Sequence, residues 1–427
     1  MKKMIICILV AAATAGSAAA QEKLTLAKSI RLALEQNPNV TAARNDAQIA
    51  RNTAAAGNAE LLPRLSVSSG ANYQDSETLG ASTTTSAGVS LSYTLFDGFG
   101  TVYRMKRAKS AGRLGLLAAR NDIEQTVVAV SVAYYRAASS WEALQIAREA
   151  LNISRERLKR AEERSAYGRA GAVDVLSARV DVNTDSVTVV ESQLLWEEAG
   201  RSLNLLLNRN IDHKFSIDTD VEFQVLDPLP ALINTAKEYN AVFAISREQT
   251  DQAGYTASSA AADLWPDITL TGSAGYSRID PDFSVAFDSM SRTVRGGLSI
   301  SWTLFSGGRL RRAKQSARLE LNNQKLRETY AEKTLETQIV NAFEAYSNSR
   351  LILDLENENL EAAKLNFQRT RDFYRLGQVT STQFREAQLN LIRSRTRLQT
   401  TKFDAKLDEL TLMQLAGILI PPAEMDL

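Results

Sequence analysis

Few residues of this chain could carry out acid–base or nucleophilic chemistry. The chain has a single histidine, His213, so a metal motif with two histidines is impossible and a Ser-His-Asp triad would have to use this residue. Its neighbours Asp212 and Lys214 lie in a stretch without periodicity, which favours a surface or packing role. Gly98 and Gly307 are not followed by the Gly-Lys-Ser/Thr of a phosphate-binding loop. We therefore expect no enzymatic activity, no cofactor and no metal site.

Two carboxylates follow glycine-containing breaks between long helical patterns. Asp174 comes shortly after Gly168, and Glu386 comes shortly after Gly377. In a symmetric trimer each position would become a ring of three carboxylates, which attracts cations and repels anions at a narrow opening. The alternative is that both are solvated residues near a helix N-terminus, where negative charge is mildly favourable.

The first 20 residues have the composition of an export signal. Lys2 and Lys3 precede an apolar run that is too short to span a bilayer, and an Ala-x-Ala cleavage site ends at residue 20. An uncleaved anchor is the alternative. The only cysteine, Cys7, lies within this signal, so we expect no disulfide in the mature chain. Cleavage leaves 48 basic and 49 acidic residues, and this balance does not support nucleic-acid binding.

Long helices with a seven-residue apolar repeat dominate the remainder of the chain. No proline occurs between residues 99 and 165, and apolar residues recur there every seven positions, at Leu116, Ile123, Val130, Ala137, Leu144, Leu151 and Leu158. Such a repeat indicates a left-handed supercoil, and a helix of this length would extend about 100 Å. The helices that return after the two breaks carry the same repeat, which predicts two coiled-coil hairpins.

This arrangement is present twice. Residues 35–65 match residues 238–268 at an offset of 203, and residues 94–98 match residues 303–307 at an offset of 209. The difference predicts a longer hairpin loop in the second copy. Each copy is predicted to run helix, strand, strand, long helix, turn, helix. We divide the protomer, residues 21–427, into repeat one at about 25–209, a connector at 210–230 and repeat two at about 231–417.

The two strands predicted in each copy have the length of membrane-crossing strands. In copy one they cover residues 64–73 and 87–96, and a tilted strand needs about 9–11 residues to cross a bilayer. The second strand alternates apolar and hydroxyl residues, and copy two repeats this through Leu298, Ile300, Trp302 and Leu304. Six aromatic residues occupy positions expected for an interfacial girdle: Tyr73, Tyr93, Phe96, Tyr276, Trp302 and Phe305. A soluble sandwich is the alternative.

Four strands cannot close a barrel, and open sheet edges are not tolerated in hydrocarbon. The chain is therefore expected to oligomerise. Two copies would supply 8 strands and three would supply 12, and we favour three because side chains fill the interior of an eight-stranded barrel.

The chain resembles the TolC-like outer membrane efflux proteins over essentially all of its mature sequence. The resemblance rests on the duplicated pattern around Phe96-Asp97-Gly98 and Phe305-Ser306-Gly307, and on hairpin tips at residues 168–178 and 377–387. It implies a mostly α protein with a small β part, in which a homotrimer closes a 12-stranded barrel in outer membrane lipid. A periplasmic α-helical barrel continues this barrel, and its tip meets a periplasmic adaptor protein that serves an inner-membrane transporter.

The resemblance also implies roles for residues at the tips. Asp174 and Tyr374 match the family's acidic constriction, and Glu386 replaces an aspartate of like charge. Val379 and Gln383 stand where the family has an arginine and a further acidic residue, so the constriction departs from the family pattern at these positions. The resemblance assigns adaptor contact to the tip residues Gly168, Arg169, Ala170, Gly171, Gly377, Gln378, Thr380 and Ser381.

The favoured function is passive export through an outer membrane channel of a tripartite efflux or type I secretion system. A periplasmic adaptor would be expected to have one helical hairpin and a soluble β-domain, whereas this chain has two equivalent hairpins. A secreted enzyme is the remaining alternative, and no catalytic motif supports it.

Overall fold

The computed structural model describes residues 23–77, 80–167, 171–281, 285 and 289–420. The predicted export signal and the tip residues Gly168, Arg169 and Ala170 lie outside the described residues. The first half comprises β1 (Lys23–Leu24), α1 (Leu26–Gln36), α2 (Pro38–Ala59), β2 (Arg64–Ser76), β3 (Gly80–Phe96), α3 (Gly100–Ala166) and α4 (Ala172–Leu206). The second comprises β4 (Ser216–Ile217), α5 (Leu229–Tyr239), α6 (Ala241–Ala262), β5 (Asp267–Asp280), β6 (Ser291–Ser301), α7 (Arg309–Leu376) and α8 (Ser381–Ala416).

These elements confirm the predicted class, which is mostly α with a small β part. Both halves run through two short helices, two strands, a long helix and a return helix. The two long helices, α3 and α7, contain 67 and 68 residues. Among the described residues, none of the helices combines the length and the apolar character needed to span a bilayer.

The connector between the two halves differs from the irregular segment that the sequence predicts. It contains β4, which pairs in parallel with β1, and α5 already begins at Leu229. Tyr134 supports this small sheet, because its hydroxyl donates to the carbonyl oxygens of Leu24 and Asp218 at 3.3 and 2.9 Å. A two-residue strand is too short to produce a detectable period in the sequence.

A glycine turn joins β3 to α3. Gly98 has φ of +65°, and a Cβ atom there would lie 2.7 Å from the carbonyl oxygen of Ala262 and from the Cβ of Trp265. Asp97 caps the helix, since its Oδ2 accepts from the amide and hydroxyl of Thr101 at 2.7 and 2.8 Å. Arg104 adds a bond to the same oxygen at 2.9 Å. The sequence Phe-Asp-Gly thus encodes strand end, cap and turn.

Four strands form one antiparallel sheet in the order β2-β3-β5-β6. The strands β2 and β3 have 13 and 17 residues, so they are longer than predicted, while β5 and β6 have 14 and 11. The prediction of a strand through Trp302 and Leu304 is wrong, because β6 ends at Ser301. Beyond that point the Trp302 indole donates to the Leu264 carbonyl at 3.1 Å, which turns this residue away from the ladder.

Contacts divide the chain into two compact units, and each unit takes residues from both halves. Unit 1 contains the chain up to Glu35 together with Ala129–Glu222 and Leu353–Phe403. Its hairpin core holds the buried residues Leu360, Phe367, Tyr374, Phe384, Ala387 and Leu391. Unit 2 contains Gln36–Val128, Phe223–Ile352 and the chain from Asp404, and thus the whole four-stranded sheet. Its core holds Leu232, Ala236, Phe243, Leu335, Ile339, Leu412 and Ala416.

Candidate functional site

The register of the sheet separates its residues into one apolar and one polar face. Val67 lies opposite Val89, which lies opposite Ala274, and Ala274 lies opposite Val294. We call such a set of paired residues across the four strands a row. The neighbouring residue on each strand belongs to a row on the other face, which consists of Ser66, Ser90, Ser273 and Arg295. Because side chains alternate along a strand, the whole of each face follows from these rows.

The apolar face is open to its surroundings. Val67, Leu298 and Ile300 are each at least 60% exposed, although they belong to the residue types that normally fill a core. Exposed apolar surface of this size marks contact with a membrane or another protein. The polar face consists almost entirely of serine, threonine, glycine, asparagine and glutamine side chains.

The six aromatic residues of the proposed girdle occupy different structural positions. Tyr73 and Tyr276 lie on the apolar face and are about half exposed, at 50% and 52%. Tyr93 and Phe96 lie at the opposite end of the sheet, in the last residues of β3. Trp302 and Phe305 follow β6 and are more exposed, at 59% and 88%.

The structure brings two of the three predicted constriction residues to one cavity at the hairpin tip of unit 1. This cavity measures about 350 Å³, and both Asp174 and Tyr374 line it. Tyr374 is almost fully buried and stacks on Phe384 with a ring-centroid distance of 4.7 Å. Asp174 is exposed in the first turn of α4, where the helix dipole favours a carboxylate. Glu386 is exposed on α8 and does not line this cavity.

An arginine that the sequence analysis did not select lies at the same cavity. Arg164, near the end of α3, lines it together with Asp174, and its guanidinium carbon is 6.0 Å from the centre of the Tyr374 ring. At the position of the family arginine, Val379 packs against the hairpin core instead. Arg164 precedes the break by few residues, so its charge could have been noticed, but its position over Tyr374 depends on the packing of α3 against α7.

Gly377 ends α7 in the left-handed conformation. Its φ is +76°, and its amide donates to the Tyr374 carbonyl at 3.1 Å while the amide of Gln378 donates to the Phe373 carbonyl at 2.9 Å. This pair of bonds is the Schellman arrangement for ending a helix. Gly171 differs, because its φ of −78° is open to any residue.

Thr380 begins α8 with a reciprocal cap. The Thr380 hydroxyl accepts from the backbone N–H of Gln383 at 3.2 Å, and Gln383 Oε1 accepts from the backbone N–H of Thr380 at 2.9 Å. This is a capping box, and the Thr-x-x-Gln spacing in the sequence signals it. Gln383, which stands where the family has an acidic residue, therefore has a structural role in this chain.

Buried charges connect α8 to α3 and α4 from the tip inward. Arg385 donates to both carboxylate oxygens of Asp185, at 3.0 and 3.1 Å, and to the Ser154 hydroxyl at 3.1 Å. Arg157 forms an ion pair with Asp181 and donates to the Ser381 hydroxyl at 3.1 Å. We call these six residues the hairpin ion network. Arg157 is only 4% exposed, and such a buried charge requires partners.

Sequence reasoning missed this network because its members belong to three helices. Ser154 and Arg385 are separated by 231 residues, and only the packing of the helices brings them together. The available signal was the presence of aspartates on the buried seam of α4, where Asp185 aligns with the apolar repeat.

His213 does not belong to a catalytic arrangement among the described residues. It is exposed in the connector beside a cavity of about 490 Å³ whose described lining includes Trp196, Glu197 and Arg201 but no serine. The described part of the chain contains no group of three or more metal-binding side chains.

Known proteins resemble this chain in both sequence and fold. The model of the outer membrane efflux protein family matches residues 29–209 and again residues 232–418. The alkaline protease secretion protein AprF of Pseudomonas aeruginosa is 24% identical over 418 residues, which cover 93% of this chain and 85% of AprF. The probable efflux pump outer membrane protein TtgC of Pseudomonas putida is 24% identical over 358 residues, 82% of this chain and 70% of TtgC.

Solved structures of outer membrane proteins share the fold. The CmeC outer membrane channel of Campylobacter jejuni superposes with a TM-score of 0.80 at 17% identity, over 94% of this chain and 87% of CmeC. The outer membrane protein VceC of Vibrio cholerae gives a TM-score of 0.78 at 17% identity, over 92% of this chain and 96% of VceC. These neighbours are channels and outer membrane proteins rather than periplasmic adaptors. The chain belongs to the outer membrane efflux protein family, and its function is export across the outer membrane.

Proposed function

We propose that three copies of this chain form a channel-tunnel, in which twelve strands close a barrel in the outer membrane and the long helices form a tunnel in the periplasm. The observation that carries the proposal is the sheet, which has an exposed apolar face, a polar face and, in the part of the chain that the structure describes, four strands. A closed barrel places the apolar face against lipid and the polar face around water.

The number of copies follows from the strand count. In the described residues the outer strands β2 and β6 each pair on one side, and unpaired backbone groups are costly in hydrocarbon. Pairing β6 of one copy with β2 of the next satisfies both edges. Three copies give twelve strands, whereas the interior of an eight-stranded barrel is filled by side chains.

An exposed apolar seam on α4 supports the same assembly. Six apolar residues of α4 follow one another at intervals of three, four or seven positions, and each is more than half exposed: Val173, Leu176, Val180, Val187, Val190 and Leu194. This is a second heptad seam, on the side of α4 that faces away from its own hairpin. The internal repeat shows what such a face can bind. On α8 the equivalent face packs on α3, where Gln388 donates to the Ala150 carbonyl at 3.1 Å and Gln399 donates to the Ser139 carbonyl at 3.0 Å.

The repeat predicts the register of the contact between copies. Gln388 also donates to the Ser154 hydroxyl at 3.1 Å, and the offset of 209 maps these two residues onto Arg179 of α4 and Ala363 of α7. In that antiparallel register Leu355 of one copy lies opposite Val187 of its neighbour. Both side chains are exposed in the single chain, Leu355 at 52% and Val187 at 57%. The contact between α3 and α8 is therefore repeated between chains by α7 and α4.

The partners that we propose are a periplasmic adaptor and an inner-membrane transporter. The names of the relatives point to two kinds of export, since AprF is a protease secretion protein and TtgC an efflux pump component. The tip residues Gly171, Gly377, Gln378, Thr380 and Ser381 are proposed to contact the adaptor, together with residues 168–170. The transporter would supply the energy, and this chain would make and break no covalent bond.

The tip is also proposed to restrict passage. Asp174 and Tyr374 share a cavity with Arg164, which supplies a positive charge although Val379 occupies the family arginine position. Glu386 would add a second ring of carboxylates. In a trimer these groups converge near the axis, where charged rings select ions by sign.

Conductance in a planar lipid bilayer tests the channel directly. Purified mature protein should require detergent to remain in solution and should produce discrete current steps when it inserts. A protein that stays monomeric and soluble without detergent, and that gives no current steps, would overturn the proposal.

A further inference from the structure

The polar face of the sheet carries an uneven distribution of charge. Within the described strands its charged residues are Arg64 at the start of β2, Asp267 at the start of β5 and Arg295 within β6. The remaining side chains of this face are almost all small and uncharged. Along the strand direction Arg295 therefore lies in the middle of this hydroxyl-bearing face rather than at either end, although β6 is an outer strand.

The strand register places the two arginines in adjacent rows. Arg295 lies opposite Ser273 of β5, and the row continues through Ser90 and Ser66. Ser66 is two residues from Arg64 on β2, so Arg64 occupies the next row. Asp267 lies opposite Ser301, three rows away from Arg295. Both arginines are exposed in the single chain.

Arg292 provides an internal comparison. It is on the same strand as Arg295, but it lies opposite Tyr276 and therefore on the apolar face. The chain thus contains two arginines three residues apart that face opposite sides of one sheet. Only one of them can influence a solute that passes along the polar face.

We propose that Arg295, assisted by Arg64, forms a positively charged zone in the barrel that favours the passage of anionic solutes. This inference rests on the proposed trimer, in which three copies place six arginines in two adjacent rows around the lumen. Rings of arginine or lysine select anions, and lumen side chains of outer membrane barrels tune selectivity. Closure of the sheet also brings β6 beside β2 of the next copy, which places Arg295 and Arg64 on neighbouring strands.

Cysteine labelling of Ser273 measures the local potential without the influence of the tip. The only cysteine of the chain is Cys7, so Ser273→Cys introduces a single reporter into the mature protein. The probes are two methanethiosulfonates, the anionic 2-sulfonatoethyl and the cationic 2-trimethylammonioethyl reagents, and each labelling rate is divided by the rate of the same reagent with a free thiol in solution. We expect the anionic reagent to react roughly three- to tenfold faster relative to the cationic one, since a unit charge lies one strand away.

The control variants distinguish charge from structure. Arg295→Ser should abolish the preference for the anionic reagent, and Arg64→Ser should reduce it. Arg292→Ser should leave it unchanged, because that residue lies on the other face. In bilayers, the combination of Arg64→Ser and Arg295→Ser should shift the reversal potential toward cations.

Two outcomes of the cysteine labelling overturn different claims. If the normalised rates of the two reagents at Ser273→Cys are equal, the charged zone does not exist, although the channel stands. If Ser273→Cys reacts with neither reagent while a cysteine at Ala274 on the apolar face does react, the polar face does not line water. That second result would overturn the proposed channel and this inference together.

Discussion

At the scale of single residues, the tip cavity combines charged and aromatic groups that lie far apart in the sequence. Arg164 contributes from α3 a positive charge beside Tyr374, while Val379 fills apolar space in the hairpin core. The cavity therefore brings together a carboxylate, a phenol and a guanidinium that different helices supply.

The carboxylates near the tip should determine ion selectivity there. We expect the native channel to prefer cations at this end, and Asp174→Asn combined with Glu386→Gln to reduce that preference, because both rings lose their charge. The reversal potential in a salt gradient is the measurement. Asp372→Asn, which alters an exposed carboxylate near the end of α7, serves as the control. An unchanged reversal potential in the double variant would refute the role of these rings.

At the scale of elements, the hairpin ion network fixes α8 to the other hairpin more specifically than apolar seams can. Apolar heptads allow neighbouring registers, whereas a bidentate pair such as Arg385 with Asp185 has one geometry. The equivalent seam on α4 has Leu176 in place of Arg385, and the residue equivalent to Ser154 is Ala363. The two copies of the repeat have thus diverged at this seam.

Removing one member of the network should loosen α8. Asp185→Asn leaves Arg385 without its bidentate partner, and we expect a loss of about 1–3 kcal/mol in local stability. Hydrogen exchange of the amides in residues 381–391 is the measurement, and it should become faster. Glu149→Gln, which breaks the more exposed pair with Arg395, should have a smaller effect of about 0–1 kcal/mol. Equal exchange in both variants would show that burial of the network is unimportant.

The end of α7 favours a glycine because Gly377 has a positive φ, whereas Gly171, at the end of the α3–α4 turn, has an ordinary negative φ. Gly377→Val forces a β-branched residue to φ of +76°, at a cost of about 1–3 kcal/mol. Gly377→Asn is the matched control, since asparagine tolerates the left-handed conformation and a Cβ there meets nothing. We expect only Gly377→Val to weaken cross-linking to the adaptor in cells. Normal cross-linking and export with Gly377→Val would count against a role for this tip.

The sequence predicted those features that repeat along the chain. The heptads of α3 and α7 and the alternation in β3 are local patterns, and each appears in the structure. The contacts of Arg157 and Arg385 were not predictable, because they depend on the rotation of three helices about their axes. The end of β6 at Ser301 was missed because the alternation continues through Trp302 and Leu304 after the ladder stops. A period in the sequence does not show where pairing ends.

At the scale of the whole molecule, the internal repeat predicts the register of the proposed contact between copies. We expect Leu355→Cys combined with Val187→Cys to form disulfides between chains under mild oxidation, since the proposed register places these residues opposite each other. Denaturing electrophoresis without reductant should show a covalent trimer. Leu365→Cys with Val187→Cys is the control, because Leu365 is similarly exposed but lies ten residues, or about 15 Å, out of register. Monomers alone, or equal cross-linking of both pairs, would contradict the register.

The outer strands of the sheet have a consequence for the life of the chain before it reaches its membrane. A single copy in transit would expose β2 and β6 as templates for pairing, next to an apolar face that water cannot solvate well. Such a surface is a hazard for aggregation, and lysine, proline or a bulge usually protects it. Neither β2 nor β6 contains a lysine or a proline. The newly exported chain should therefore depend on chaperones until its edges meet those of its neighbours.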